Sequence, residues 1–273
     1  MKNKTVRNQN KKRGFSLFQK QEEKTKGMNN LHTQKENQQL LNDLLDRFEL
    51  SKKEKEEFLQ IATPIIKHEE FQKRMNAEEF PHHAKVSLGE HIISDAILTY
   101  KLTKKKKWKK EEQKRAIRIA LFHDLYELPW QNSGIKKKML TNKHGFTHPI
   151  EAAINAATWY PELFKEDVER EIILDGIIHH MFPFPVRTLN DKDAELHNQE
   201  KFEKLPENIK KNIIDSSKRK KVKSISFSRS KYQEGRIVSK ADKKIAWGKE
   251  LKSFHGLIAC VTGRNPKLEK KDK

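Results

Sequence analysis

Cysteine is nearly absent from this chain of 273 residues, which contains Cys260 alone. No disulfide can form within the chain, which is typical of a protein from a reducing compartment. Cys260 follows small and aliphatic residues, and we interpret it as a core side chain rather than a nucleophile. No apolar run approaches the roughly 20 residues that span a bilayer, and no apolar segment follows the basic N-terminus as in a secretory signal. We therefore expect a cytoplasmic protein without a membrane span.

Several common functional motifs are also missing: there is no glycine-rich phosphate loop, no zinc-finger spacing, no Gly-x-Ser-x-Gly and no internal repeat. Acidic residues do not balance the basic ones, because 58 Lys and Arg stand against 38 Asp and Glu, a formal net charge of +20. This excess favours polyanions such as nucleic acid, nucleotides or anionic membrane surfaces. The alternative is a surface that is simply rich in lysine, since many acidic residues are interleaved with the lysines.

Alternating strand patterns are absent, and apolar residues recur at helical spacing through most of the chain. The sequence therefore predicts an all-α fold, a helical bundle with a basic N-terminal helical extension and a basic insertion. The expected parts are a basic arm plus helical extension (1–68), a core (69–262) with an insertion (188–234), and a basic tail (263–273). Within the insertion, the basic cluster Lys218–Lys221 and the serine-rich residues 224–230 indicate an exposed loop.

Individual helices follow from the apolar stripes. Ser51 and Glu54 form the capping-box pattern of a helix start, and Pro64 is expected to interrupt that helix. Pro129 is expected to end another helix, and His148 to begin a third with Pro149 in its first turn. The stripes cover residues 40–50, 86–102, 116–128, 150–159, 172–178 and 237–246.

An ordered series of histidines and aspartates carries the clearest functional signal. Several of them stand within or at the end of apolar helices, where an uncompensated polar group is costly. Imidazole and carboxylate groups without thiolates are the ligands of a catalytic divalent-metal centre. Taken alone, a residue such as His91 could simply be a core histidine with one hydrogen bond. Several buried polar residues in one chain instead indicate that a bound metal ion compensates their burial. The series is His91, His123, Asp124, His148, His180 and Asp242.

The sequence around these residues resembles the HD-domain metal-dependent phosphohydrolase superfamily. The stretches that carry the resemblance are GEHIISDA (89–96), ALFHDLYE (120–127), HGFTHPIEA (144–152), IIHHMFP (177–183) and IVSKADK (237–243). Their order matches that of the superfamily, and the HGFTHP and HMFP segments look like those of small bacterial HD proteins. The resemblance covers residues 69–187 and 235–250, roughly half of the chain.

The resemblance implies a helical core and divalent metal held by four residues. Two further histidines match those of bimetallic members, which favours two ions; His180 rather than His179 takes the second of these positions, because it directly precedes Met-Phe-Pro. Imidazole and carboxylate ligands suit iron or manganese, with cobalt or nickel as substitutes, and suit magnesium less well. The four shared ligands are His91, His123, Asp124 and Asp242, and the two further histidines are His148 and His180.

Other residues receive roles around this set. Glu127 matches the His-Asp-x-x-Glu pattern of nucleotide-cleaving HD members, in which the carboxylate works with Asp124 on the attacking water. An offset of three would place it on the same helix face as Asp124, although a surface glutamate is the alternative. His144 is expected to contact substrate or support a ligand, because Gly145 argues against one continuous helix. The two residues expected to meet the substrate phosphate are Arg187 and Lys240.

The expected function is a metal-dependent phosphohydrolase that cleaves a phosphomonoester, phosphodiester or phosphoanhydride, with a nucleotide as the favoured substrate. The alternative is a nucleic-acid-binding or processing protein that uses its basic segments around the same core. In that case Trp108, within the lysine run Lys104–Lys110, would stack on a base. The alternative interpretation of Trp108 is that its side chain packs on the core. A third hypothesis, a non-catalytic scaffold that binds a nucleotide, is disfavoured by the complete ligand set.

Overall fold

The computed structural model describes residues 34–82, 86–127, 144–189, 196 and 198–246. The chain divides into two compact units, Met1–Asp43 and Leu44–Lys273. In the first unit, residues 34–43 are helical, and Gln39 donates a hydrogen bond to Asp43 across one helical turn. Residues 1–30 of the expected basic arm, Cys260 and the expected tail (263–273) lie outside the described residues.

The structure is mostly helical, which confirms the all-α prediction. The capping box of Ser51 and Glu54 is also confirmed, since each side chain binds the backbone N–H of the other residue. The helices are α1 (34–47), α2 (Lys52–Ile66), α3 (Glu69–Lys73), α4 (Leu88–Lys105), α5 (Lys110–Phe122), α6 (His144–Trp159), a 3-10 turn (Pro161–Phe164), α7 (Asp167–Ile178), α8 (Gln199–Lys204), α9 (Glu207–Ser217) and α10 (Gln233–Ile245).

Four helices form the centre of the second unit. These four are α4, α5, α7 and α10: α4 lies against α5, and α10 packs against α4, α5 and α7. A further helix, α6, packs against α7. Their apolar stripes are buried, as the helical spacing predicts, and Ile92, Ile117 and Ile173 have no exposed surface. Within the part of the chain that the structure describes, none of the helices combines the length and apolar character that a membrane span requires.

Two glycines allow α7 and α10 to approach closely. A Cβ atom placed on Gly235 of α10 would lie 2.7 Å from the Cα atom of Gly176 on α7 and 2.4 Å from Ser230 Oγ. A Cβ atom on Gly176 would lie 2.6 Å from Ile119 Cδ1 of α5. No side chain fits at either position without movement, so Gly235 fixes how near α10 lies to α7, and Gly176 fixes how near α7 lies to α5.

Three helix boundaries differ from the sequence expectation. α2 continues through Pro64 to its end at Ile66, because a proline in the last turn removes only one backbone hydrogen bond. α6 begins at His144 and runs through Gly145, so His144 and His148 share one continuous helix. α5 ends at Phe122, well before Pro129, because Nδ1 of His123 bonds the Ala120 carbonyl that a longer helix would have used.

The insertion contains regular structure and is not simply an exposed loop. Besides α8 and α9 it holds two strands that join a third in a small antiparallel sheet, with the order β1-β3-β2. Ser226, Ser228 and Ser230 of the serine-rich segment are buried. Ser228 and Ser230 bond His179 and Asp175 of the core, and Ser226 bonds Ser228. The strands are β1 (Val186–Arg187), β2 (Lys221–Val222) and β3 (Ile225–Ser226).

Candidate metal centre

The helical core brings six widely separated side chains to one buried point, here called the His/Asp cluster. α4, α6 and α10 each supply one member from within the helix, while α5 and α7 supply the members that directly follow their C-terminal ends. All six are at least nine-tenths buried. The cluster consists of His91, His123, Asp124, His148, His180 and Asp242, the residues singled out in the sequence.

The two oxygens of Asp124 face different members of the cluster. Oδ2 lies 3.6 Å from Nε2 of His91 and 3.6 Å from Nε2 of His123. Nε2 of His91 is in turn 3.4 Å from Oδ1 of Asp242 and 3.3 Å from Nε2 of His123. His91 and His123 therefore lie beside Oδ2, and Asp242 joins them through its contact with His91. These three residues are called the Oδ2 group.

The other oxygen of Asp124 faces two histidines. Oδ1 lies 3.3 Å from Nε2 of His148 and 3.5 Å from Nε2 of His180. The two Nε2 atoms are 3.3 Å apart. His148 and His180 are called the Oδ1 group, and Asp124 stands between the two groups with one oxygen turned to each.

Hydrogen bonds to the backbone fix the orientation of three imidazoles. Nδ1 of His123 lies 2.7 Å from the Ala120 carbonyl oxygen, and Nδ1 of His180 lies 2.7 Å from that of Ile177. Nδ1 of His148 lies 3.0 Å from the carbonyl oxygen of His144. A carbonyl only accepts, so each Nδ1 carries the hydrogen, and the lone pair of the neutral ring is on Nε2, which faces Asp124. Metal-binding histidines are oriented in the same way.

This arrangement requires a cation beside Oδ1. Burial, with the nearby His123, lowers the pKa of His180 to about 3, so its ring is neutral at physiological pH. Burial raises the pKa of Asp124, but His123, His148 and His180 outweigh it and hold that pKa well below its usual value. The ionised Oδ1 of Asp124 and the lone pair on Nε2 of the neutral His180 therefore face each other in a buried space. Either a proton on His148 or a metal ion can compensate them.

The separations between the donor atoms fit a shared ion. Two ligands that each bind at about 2.1 Å, at angles of about 90–109°, are themselves about 3.0–3.4 Å apart. The separations within the cluster are 3.3–3.6 Å, within this range or up to 0.2 Å above it, apart from 4.0 Å between His123 Nε2 and Asp242 Oδ1. Oδ1 of Asp124 accepts no hydrogen bond from the described residues. The buried His/Asp groups can thus hold a metal ion.

Two neighbours of the cluster were missed in the sequence. His82 packs its ring 4.0 Å from that of His91, and with His91 and Asp124 it forms another set that can hold an ion. It precedes α4 in a segment without periodicity, so no sequence signal marks it. Asp95 has its Oδ2 atom 3.7 Å from Nδ1 of His123. It follows His91 by one helical turn on the same buried face, a spacing that could have identified it.

The position of Glu127 differs from the expected one. Because α5 ends at Phe122, the helical offset that would have placed Glu127 on the same face as Asp124 does not exist. Its carboxylate instead accepts a hydrogen bond from Nζ of Lys201 at 2.8 Å. Lys201 also lies over the ring of Trp159, 4.9 Å from its centroid. The catalytic role of Glu127 stays a prediction.

The expected substrate contacts lie in three different surroundings. The ring of His144 stacks on that of His148 with centroids 5.0 Å apart, so His144 supports a member of the cluster. Arg187 is buried in β1, a strand that packs against α6. Lys240 is exposed and lines a pocket on the outside of α10. The structure therefore brings His144 to the cluster and places Lys240 away from it.

His179 belongs to a separate network that joins the insertion to α7. Its ring contacts the Ser228 hydroxyl at 3.1 Å and the Ser216 carbonyl at 3.1 Å. Burial lowers its pKa to about 4. Beside it, Asp175 accepts hydrogen bonds from Ser230 and Ser216 and pairs with Arg219. α7 ends at Ile178, directly before the two histidines. His179 can therefore face the insertion while His180 faces the cluster.

Comparisons with protein-family models, with curated proteins and with solved structures find no match for this chain.

Proposed function

We propose that this protein is a metal-dependent phosphohydrolase of the HD superfamily, in which the His/Asp cluster would hold two divalent ions with Asp124 as a ligand common to both. The observation that carries the proposal is the division of the cluster around that carboxylate. Oδ2 lies 3.6 Å from both histidines of the Oδ2 group, and Oδ1 lies 3.3 and 3.5 Å from the two histidines of the Oδ1 group. A carboxylate that bridges two ions with imidazoles at terminal positions is an arrangement suited to phosphoryl transfer.

The ligand types support the choice of metal. The cluster offers four imidazoles and two carboxylates and no thiolate, and its rings are oriented through Nδ1 hydrogen bonds. Such sites suit iron or manganese, and cobalt or nickel can replace them in vitro, whereas magnesium prefers oxygen ligands. When bound, the ions supply Lewis acidity and lower the pKa of a coordinated water.

The exposure of the ligands supports an approach of substrate from the carboxylate side. The side chains of Asp124 and Asp242 are 8% and 11% exposed, whereas those of the four histidines are at most 4% exposed. A phosphate ester or anhydride that entered from this side would meet the carboxylates first, with the imidazoles behind them. Their negative charge would repel a phosphate unless the ions were bound, so substrate binding depends on the metal.

The proposed substrates are nucleotides or other small phosphate esters and anhydrides. The resemblance and the basic charge of the chain support this class. Glu127 is the proposed partner of the attacking water, a role in which it would have to leave Lys201. Removing a general base lowers the rate by a factor of about 10²–10⁴. Glu127→Gln should therefore reduce turnover by at least about 100-fold without changing the metal content. A smaller loss would show that Glu127 serves only in its ion pair with Lys201.

The test is hydrolysis of bis(p-nitrophenyl) phosphate, p-nitrophenyl phosphate and a panel of nucleotides by protein loaded with manganese or iron. We expect hydrolysis that disappears on chelation, returns when metal is added, and is lost in Asp124→Ala. The matched control is Asp215→Ala, which removes an exposed carboxylate on α9 and should keep full activity. A metal-loaded wild type that hydrolyses none of these compounds, or an Asp124→Ala variant as active as the control, would refute the proposal.

A further inference from the structure

A second site lies on the outside of α10, in a pocket of about 320 Å³. Three separate chain segments form it: the turn between α4 and α5, the segment before α10, and α10 itself. This volume is at the lower end of the range typical of pockets for small ligands, about 300–1,000 Å³. The lining residues are Lys106, Trp108, Arg229, Gln233, Arg236, Ile237 and Lys240.

The charge of this pocket is positive and locally uncompensated. Four of its lining residues are cations, and none of those four forms an ion pair with a carboxylate within the described part of the chain. Glu112 lies beside the lining, where it accepts a hydrogen bond from Gln233 at 3.1 Å and another from the Lys109 backbone, and Glu234 is paired with Arg115. Like charges that converge without a counter-charge repel each other, so an anion bound among them is stabilised.

One of the cations is held in place by the backbone. Nε of Arg236 donates to the Ser230 carbonyl at 2.9 Å, and one terminal nitrogen donates to the Lys231 carbonyl at 2.8 Å. The guanidinium has five N–H groups, so others remain for a ligand in a fixed orientation. A guanidinium of this kind suits a phosphate group, because its planar donors match the oxygens of a phosphate.

Trp108 adds an aromatic surface to the cationic pocket. Its side chain is half-buried, and it lies at the turn between α4 and α5 beside Lys106. Cations that follow a phosphate backbone together with an aromatic ring that stacks on a base are the two parts of a site for single-stranded nucleic acid. Ile237 contributes an apolar contact to the same pocket.

From these features we infer that the pocket binds a nucleotide unit, with its phosphates among the four cations and its base on Trp108. A free nucleotide and a single-stranded nucleic acid share this chemistry. The pocket is distinct from the metal centre: Gln233, Arg236 and Lys240 share one face of α10, whereas Asp242 follows Lys240 by two residues and points about 200° around the helix. The inference does not depend on the proposed hydrolase activity.

The test is the binding of a fluorescein-labelled ten-residue oligothymidylate to the full chain, measured by anisotropy in the presence of a chelator. The pocket variant is Lys106→Glu with Lys240→Glu. The matched control is Lys52→Glu with Lys53→Glu, which changes the net charge equally through exposed lysines on α2. We expect the pocket variant to lose at least about tenfold more affinity than the control. Its slope of log affinity against log salt should fall by about 1.4, the value for two lost phosphate contacts on a single strand.

Variants of Trp108 test the base contact. Trp108→Ala should weaken binding by about 5–150-fold, the range for one stacked base, while Trp108→Phe should retain most of the affinity. Competition with thymidine monophosphate distinguishes a site for free nucleotides from a site for single-stranded nucleic acid. Displacement at micromolar concentration identifies a nucleotide site, and displacement only by longer strands identifies a nucleic-acid site.

Two results would overturn the inference. Equal losses in the pocket variant and the Lys52/Lys53 control would show that binding follows net charge alone. Unchanged affinity in Trp108→Ala, with an unaltered melting temperature, would exclude a base at this position. The same measurement on Asp124→Ala should give wild-type affinity; a loss there would assign the binding to the metal centre and contradict a separate pocket.

Discussion

Gly235→Ala tests whether the close approach of α7 and α10 is needed to assemble the metal centre. The new methyl group would stand 2.7 Å from the Gly176 Cα atom, whereas ordinary contact begins at 3.4 Å, so the helices would have to separate by about 0.7 Å. The same methyl group would press on Ser230, which donates a hydrogen bond to Asp175 at 2.7 Å.

Two opposing effects set the size of the change. Replacing a glycine within a helix by alanine stabilises the helix by up to about 1 kcal/mol. Overpacking costs about 1–3 kcal/mol, and the strained Ser230 contact adds to it. The net loss should be about 1–2 kcal/mol, which lowers the melting temperature of a chain of this size by roughly 2–8 °C. Because ligand distances tolerate only about 0.2 Å, metal affinity should fall as well.

Differential scanning fluorimetry and metal titration measure both effects. Lys244→Ala, an exposed position on the same helix, is the control and should change stability by less than about 0.5 kcal/mol. A Gly235→Ala protein that melts at or above the wild-type temperature and binds metal normally would show that α10 does not depend on the glycine contact.

Three further predictions follow from the buried polar groups. Metal affinity should fall between about pH 8 and about pH 6 in calorimetric titrations. Burial lowers the pKa of His148, but Asp124 outweighs burial and raises it, so protons compete with the ion as pH falls; affinity independent of pH would contradict this. Chelation should lower the melting temperature, since a ligand at 100 times its Kd contributes about 2.7 kcal/mol; an unchanged value would mean that no ion was bound. Asp175→Ala should cost about 3 kcal/mol in urea unfolding, because it leaves Arg219 without its buried partner; Asp215→Ala should cost almost nothing, and equal losses would contradict this reason.

The sequence contains enough information to identify the central helices and the residues of the cluster. A histidine within an apolar stripe, such as His91, can be predicted as a site residue from the sequence, because a buried imidazole needs a polar partner. The order of the ligands along the chain then points to one centre. The division of the cluster around the two oxygens of Asp124 could not be predicted in this way, since it depends on which carboxylate oxygen faces which histidine.

Other features depend on contacts that a linear pattern does not contain. The end of α5 at Phe122 results from the side chain of His123 binding the Ala120 carbonyl, which overrides the apolar stripe that continues to Leu125. The burial of Ser228 results from its contact with His179, which a serine-rich composition does not reveal. In both cases a tertiary or side-chain interaction outweighs local propensity.

The pocket on α10 illustrates the same limit for charge. Lys106 and Trp108 stand in a lysine run that the composition marks as basic, but Arg229 and Arg236 are more than 120 residues further along the chain. Only the packing of α10 beside the turn between α4 and α5 brings these cations together. Composition therefore predicts an affinity for anions, and the fold determines where the anion binds.

The number of metal ions per chain tests the central claim most directly. It should be measured by elemental analysis on protein purified without chelator and reconstituted with manganese or iron. If Asp124 bridges two ions, the wild type should contain about two, His180→Ala about one and Asp124→Ala almost none. His68→Gln, a histidine outside the cluster, should match the wild type. A wild type that holds no ion after reconstitution, or an Asp124→Ala variant that holds as many as the wild type, would contradict the account.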